Sequence, residues 1–274
     1  MALRLRTLLL ALPLALLLAA CGGGGAFTLE SLAQAADRTR DEGSSRVEIV
    51  STVTVGGETM ESRGEGAFDY AGNRGTMTMQ VPEAGGAMDV RVVDGVSYVR
   101  LPEAERAQLP EGATWVRVED EAGASTGFEQ QSPADVLDFL RASDSEPEEV
   151  GTEEVRGVET THYRAQLDIR RMAEQDLERV PEEHRERMRR DLQQLLQLLE
   201  EPTVPVELWV DDDGLLRRME LRMAMQVPGP TGEPTALELT QRMELFDYGV
   251  EVDVEAPPED EVVDAAELEQ QPSG

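Results

Sequence analysis

The sequence is short of the residues on which most chemistry depends. It has one cysteine, Cys21, and two histidines, His162 and His184, in 274 residues. A single cysteine excludes an intramolecular disulfide and any cysteine-based metal site. The histidines are not at metal-ligand spacing from each other, and neither adjoins a nucleophile signature, so both read as structural or solvent-facing. Aromatic residues make up only 4%, too few for a stacking platform for sugars or bases. Lysine is absent, and all 25 basic residues are arginine, against 56 acidic ones. A net charge of −31 excludes the basic footprint that nucleic acid requires, and it disfavours electrostatic docking on anionic lipid. No metal or cofactor is expected. Asp211-Asp212-Asp213-Gly214 lacks the alternating ligands and distal Glu of an EF-hand loop and reads as a hairpin turn. Gly22 to Gly25 is not followed by the Lys-Ser/Thr of a phosphate loop. The longest apolar run, Leu8 to Leu18 with Pro13 inside it, falls short of the roughly 20 residues of a spanning helix.

That run does have the pattern of an export signal. Arg4 and Arg6 precede it, and Leu18-Ala19-Ala20-Cys21 ends it, followed by four glycines. The ending resembles the lipobox of bacterial lipoproteins. The resemblance implies that the Cys21 sulfur takes a diacylglycerol and that cleavage leaves Cys21 as the first residue. The alternative is an ordinary signal peptide with a chance cysteine. Loss of Arg4 and Arg6 with the leader takes the charge from −31 to −33. The expected organisation is a signal peptide over 1–20, a lipidated cysteine and glycine tether over 21–26, one domain over 27–250, and an acidic, proline-bearing flexible tail over 251–274. The expected location is the extracytoplasmic face of the cell membrane.

Within the domain, hydrophobic alternation of period two dominates. Val47, Ile49, Val53 and Val55 alternate with polar residues up to Gly56-Gly57, a hairpin turn signal. Pairing about that turn sets Val53 opposite Met60 and puts Ser62, Gly64, Gly66, Phe68 and Tyr70 on the same face. Met77, Met79 and Val81 alternate with Thr76, Thr78 and Gln80, and Met88, Val90 and Val92 lead into Asp94-Gly95. Ser97, Val99 and Leu101 return from that turn. Further strands are expected near Trp115 to Val118, at 148–156 and at 158–169. The last three, around Val204 to Val210, Leu215 to Val227 and Leu237 to Leu245, place Leu208 opposite Met219 and Val206 opposite Leu221. Helices are expected at three places. Over 27–40, Leu29, Leu32, Ala33 and Ala36 share a face. Over 132–142, Ser132 caps and Pro133 begins a helix. Over 170–200, Met188, Leu192, Leu195, Leu196 and Leu199 form a stripe stopped by Pro202.

The expected fold class is therefore α+β: a large curved antiparallel sheet of about eleven strands, a half-barrel, with helices in its concave side. So large an open sheet tends to curl. The helices are small for the concavity, which leaves either a dry core or an apolar hollow. Its lining would be Val53, Met60, Met77, Met79, Met88, Val90, Leu208, Met219, Leu221, Met223, Met225 and Met243 from strands, with Leu192 and Leu195 from a helix. Methionine gives such a surface adaptability, and Gly64 and Gly66 would leave room in it. The helix over 182–199 is either a lid or a permanent part of the packing.

Two stretches carry a family resemblance: Gly157-Val158-Glu159-Thr160-Thr161-His162-Tyr163-Arg164, and Val206-Glu207-Leu208-Trp209-Val210 with the following Asp211-Asp212-Asp213-Gly214-Leu215-Leu216-Arg217-Arg218. With the lipobox and the element order, they resemble the actinobacterial LppX/LprG lipoproteins, which share the LolA/LolB lipoprotein-carrier fold. The resemblance implies a non-enzymatic protein that binds acylated lipids or glycolipids in the hollow and carries them within the cell envelope. The strong acidity and the charged 170–200 region depart from that family. The alternative function is an envelope sensor or partner-binding module on the same fold, with an envelope protein as partner.

Overall fold

The computed structural model describes residues 29–82, 85–107, 109–110, 112–118, 146–171, 174, 177, 182–199, 201–229 and 233–269. The leader, Cys21, the tether, the helix expected at 132–142 and the last five residues lie outside them.

The chain opens with helix α1 (Leu29–Asp41) and continues into six strands: β1 (Ser44–Val55), β2 (Glu58–Asp69), β3 (Arg74–Val81), β4 (Gly86–Val93), β5 (Val96–Arg100) and β6 (Trp115–Val118). A one-turn helix, α2 (Glu103–Arg106), sits between the last two. Five more strands follow: β7 (Glu148–Val155), β8 (Val158–Asp168), β9 (Thr203–Asp211), β10 (Leu216–Pro228) and β11 (Pro234–Phe246). Helix α3 (Glu182–Leu198) separates β8 from β9. A final short strand, β12 (Val262–Asp264), leads into α4 (Ala265–Glu269).

Among the described residues, all twelve strands form one open sheet, ordered β12-β6-β5-β4-β3-β2-β1-β11-β10-β9-β8-β7. The order is simple because tight hairpins pair sequence neighbours. Two antiparallel meanders, β1 to β6 and β7 to β11, meet where β1 pairs with β11. The fold class is as the alternation predicts, with the eleven expected strands in place. The register follows the turn chemistry: Val53 faces Met60, Leu208 faces Met219 and Val206 faces Leu221. Asp94 and Gly95, at φ 50° and 82°, both lie in the left-handed region that this two-residue turn requires.

The twelfth strand corrects the tail expectation. Residues 251–269 are not simply solvated acid. Val262–Asp264 adds a parallel strand to β6, with Val263 buried beside Val116. Arg117 grips the Asp264 carboxylate through two nitrogens, at 2.5 and 2.8 Å. Thr114 Oγ1 donates to Glu261 Oε2 at 2.9 Å. Two adjacent valines supply β propensity inside the acidic run, and they cover what would be an exposed sheet edge. The other edge, β7, is instead blunted by glutamates and by a bulge at Val150, between Glu149 and Gly151.

One face of the sheet holds the core. Leu208, Leu216 and Val206 are fully buried, with Val47, Ile49, Met77, Met219, Leu221, Met223, Met243 and Leu245 around them. Helix α1 seals one end, burying Ala35, Ala36 and Thr39. Leu216 N donates to Thr39 Oγ1, and Arg38 reaches the Asp213 carbonyl in the β9–β10 turn. Tyr70 and Tyr248 close the same end, bonded to Ser45 and to the Leu216 carbonyl. Burial pushes the Tyr70 phenol up to about 12, although the Ser45 bond acts the other way. Tyr248 is pushed higher still, first by burial and then by neighbouring Tyr70. Both hold their protons above the ordinary value of 10, at which the unfolded chain loses them. Stability is therefore expected to fall as pH rises above 10 toward the folded-state values. Alkaline unfolding curves should show this slope, and the double variant Tyr70→Phe/Tyr248→Phe should flatten it.

The two glycines expected to leave room do not. A Cβ on Gly64 would meet Met79 Sδ at 2.1 Å, and one on Gly66 would meet the Thr76 carbonyl at 2.2 Å. The methionine tail lies across Gly64, and the β3 backbone runs close to Gly66. Gly64→Ala displaces a flexible side chain, whereas Gly66→Ala pushes on a neighbouring strand. Gly66→Ala is expected to destabilise by roughly 3 kcal/mol and Gly64→Ala by less than about 1.5 kcal/mol, as urea unfolding would measure.

Candidate functional site

The candidate surface is the apolar face of the sheet, and pairing lays its residues out in rows. One row crosses eight strands: Met88, Met79, Gly64, Ile49, Met243, Met219, Leu208 and Tyr163, from β4 to β8. Another runs Val53, Leu239 and Met223, and a third Val55, Leu237 and Met225. Period-two alternation in every strand makes one register hold across both meanders.

Burial along these rows is uneven. From Tyr163 to Ile49 the first row is buried, whereas Met79 and Met88 at its far end are half-buried. Along β10, Leu221 and Met223 are buried and Met225 is half-buried. Along β1, Val47, Ile49 and Ser51 are buried and Val53 is half-buried. Packing thus fades in two directions from the corner sealed by α1, toward β2–β5 and toward the Gly56-Gly57 turn. At that far corner Met60 is 39% exposed.

The expected lining therefore divides. Met77, Met219, Met223, Met243, Leu208 and Leu221 are buried in the core. Val53, Met79, Met88, Val90 and Met225 are half-buried on the same face, and Met60 is exposed. Leu192 and Leu195 pack against the core from α3 together with Leu196, and Leu199 is buried and bridges to Met225. The sequence treats these residues as one set because alternation reveals a shared face and not depth beneath a helix.

A cavity of about 400 Å³ lies elsewhere, lined by Glu174, Leu177, Arg185 and Arg189. It touches none of the fourteen expected lining residues. The sequence does not single it out, because its arginines stand in a run of mixed charges that reads as a solvated helix face.

The opposite face of the sheet is ionic. Arg156 bridges Glu48 and Glu244, and Arg218 bridges Glu244 and Glu153. Glu220, buried, accepts from Arg222 and Arg242. His162 stacks on Trp209 with ring centroids 4.3 Å apart and its Nε2 3.0 Å from Glu207 Oε2. The Trp209 indole donates to Glu153, and this bond, with the nearby Arg218, holds the Glu153 carboxyl below the usual carboxylate range. His162 thus belongs to a packed polar layer.

Asp211 is engaged structurally. Its Oδ1 accepts from Leu215 N at 2.8 Å and its Oδ2 from Arg217 at 2.6 Å. No group of acidic, histidine or cysteine side chains among the described residues has the arrangement of a metal site. His184 lies in α3, but its side chain is outside the described set. The spacing Gly123-Ala124-Ser125-Thr126-Gly127 matches a nucleophile elbow in outline. It too lies outside the described residues.

No family model matches the chain. It is similar to an uncharacterized 31.2 kDa protein of Streptomyces griseus, 26% identical over 221 residues, which is 74% of this chain. The match spans 65% of that relative, slightly under two thirds of its length. Among solved structures it is similar to the lipoprotein LppX of Mycobacterium tuberculosis, at 14% identity and TM-score 0.44, covering 83% of this chain and 97% of the other. It is also similar to LprF of Mycobacterium bovis, at 16% identity and TM-score 0.42, covering 84% and 96%.

Proposed function

We propose that the protein is a lipoprotein, anchored through Cys21, that binds acyl chains on the apolar face of its sheet and carries lipid within the cell envelope. The observation that carries this reading is the gradient of burial across one continuous apolar face. A face built only for stability would be sealed along its length. Here the corner under α1 is sealed, and the same rows run out into half-buried Val53, Met79, Met88, Val90 and Met225 and exposed Met60. Methionine and valine there offer flexible apolar contact without polar groups that would need partners. Burial of chains drives uptake, and no catalytic step is involved. Delocalised contact selects for chain volume more than for headgroup identity.

Uptake from vesicles tests the reading. The full-length Cys21→Ala protein is mixed with vesicles carrying a radiolabelled diacyl lipid and then separated by flotation. Stoichiometric label is expected with the protein fraction. Label no higher than with serum-free buffer would remove the carrier reading and leave the partner-binding alternative.

A further inference from the structure

Sulfur is concentrated on the apolar face. The chain has eleven methionines and one cysteine, Cys21. Eight of the methionines lie on that face, four on β2 to β4 and four on β10 and β11.

Pairing gives two rows of this face a methionine at each end. One row runs Met60, Val53, Leu239 and Met223, from β2 to β10. Met60 is 39% exposed and Met223 is 8% exposed. The other row has Met88 and Met79 half-buried on β4 and β3, and Met243 and Met219 buried on β11 and β10. On β10, Met225 is half-buried two residues beyond buried Met223. Thioethers therefore stand at the open margins of the face, and matching thioethers are sealed at its packed end. A thioether is apolar and flexible, whereas its sulfoxide is polar. An acyl chain lying over a sulfoxide would bury its oxygen without a hydrogen-bond partner, which is costly.

We propose that Met60, Met79, Met88 and Met225 form a reversible oxidation site whose substrate is a peroxide, and that oxidation there loosens the hold of the face on acyl chains. This rests on the carrier reading and adds regulation of the same face. A sulfur lone pair attacks one oxygen of hydrogen peroxide. The S–O bond forms as the O–O bond breaks. The sulfur loses two electrons, and the departing oxygen takes the proton of the transferred one and leaves as water. A methionine sulfoxide reductase reverses the step with two thiols, which become a disulfide while the oxygen leaves as water. Exposure sets the order of attack. Cys21 is the only cysteine, and the proposed anchor takes its sulfur, so methionine is the sulfur left to meet the oxidant.

Titration of the full-length Cys21→Ala protein with hydrogen peroxide provides the test, in a chain that then has no thiol. Peptide mapping by mass spectrometry follows each methionine, and uptake of radiolabelled diacyl lipid from vesicles follows binding. Met60 is expected to gain oxygen about tenfold faster than Met223, with Met79, Met88 and Met225 ahead of Met219 and Met243. Uptake should fall about tenfold once the four marginal positions are oxidised, while circular dichroism shows the fold retained. Reductase with dithiothreitol should restore it. In Met60→Leu/Met79→Leu/Met88→Leu/Met225→Leu, which keeps apolar volume, uptake after peroxide should equal that variant's own uptake before it. The mapping and uptake on the unsubstituted face decide the matter even where the fourfold variant is unstable. Met60 oxidised no faster than Met223 overturns the site. So does uptake that is unchanged after oxidation, lost equally in the leucine variant, lost together with the fold, or not regained when the sulfoxides are reduced. If untreated protein takes up no label, the carrier reading falls and the role of the site with it.

Discussion

Replacing Cys21 with alanine is expected to move the protein from the membrane fraction to the soluble fraction almost completely. Stable anchoring by lipid takes two signals, such as two chains or one chain and a polybasic patch. The densest basic run, Arg185, Arg187, Arg189 and Arg190, stands among Glu182, Glu183 and Glu186, and the charge without the leader is −33, from −31 less Arg4 and Arg6, so a polybasic second signal is not expected. Repulsion from an anionic leaflet opposes adhesion further. No helix among the described residues is long and apolar enough to cross a membrane. The whole affinity then falls to the acyl chains on one sulfur. At about 0.8 kcal/mol per buried CH₂, two long chains supply on the order of 20 kcal/mol, and their loss leaves nothing comparable. Fractionation with palmitate labelling checks this. An alanine variant that remains with membranes, or a wild type that takes up no label, would contradict the anchor.

The double variant Met88→Asp/Met225→Asp is expected to lower lipid uptake by about a hundredfold while leaving the fold in place. Both side chains lie half-buried on the apolar face, where packing fades. In the lipid-free protein the new carboxylates reach water. With chains laid over them they lose hydration without gaining a partner, which costs several kcal/mol for the pair. A hundredfold loss corresponds to about 2.7 kcal/mol, within that range. Leu208→Ala gives the contrast. Leu208 is fully buried between Met219 and Tyr163, so its truncation leaves a cavity and costs roughly 2–5 kcal/mol of stability. Its effect on uptake should follow the loss of folded protein only. If the double variant takes up lipid normally, or if it unfolds like Leu208→Ala, these half-buried margins of the face are ordinary core.

The strands were the most legible part of this sequence. Gly56-Gly57, Asp94-Gly95, Arg156-Gly157 and Asp213-Gly214 fix where hairpins turn, and alternation then determines which residues face each other. Val53 with Met60 and Leu208 with Met219 follow from those two facts alone. Features that depend on three-dimensional proximity were not legible. Gly64 and Gly66 read as vacancies because sequence does not show that Met79 folds over one and that the β3 backbone crowds the other. The tail read as solvent because Val262 and Val263 are only two apolar residues in an acidic run. Their partner strand β6 ends far upstream, and a parallel pairing carries no turn signal.

The candidate site was legible as a face but not as a gradient. All twelve strand positions in the expected lining share one side of the sheet, as period two requires. Which of them α1 and α3 bury depends on where those helices dock, and that is decided by Thr39, Tyr248 and Leu199 rather than by the strands themselves. The arginine-lined cavity was hidden for a related reason. Arg185 and Arg189 share a helical face with Leu192 and Leu196, but they lie among charges of both signs, and only the cavity separates them from Arg187 and Arg190.

Native mass spectrometry of the full-length Cys21→Ala protein, purified from its own cells without detergent and followed by organic extraction, tests the central claim most directly. The account expects adducts of lipid mass at about one per chain, released on unfolding and recovered in the extract as acyl-bearing molecules. Protein that carries no such adduct, and that acquires none after incubation with envelope lipids, would contradict it.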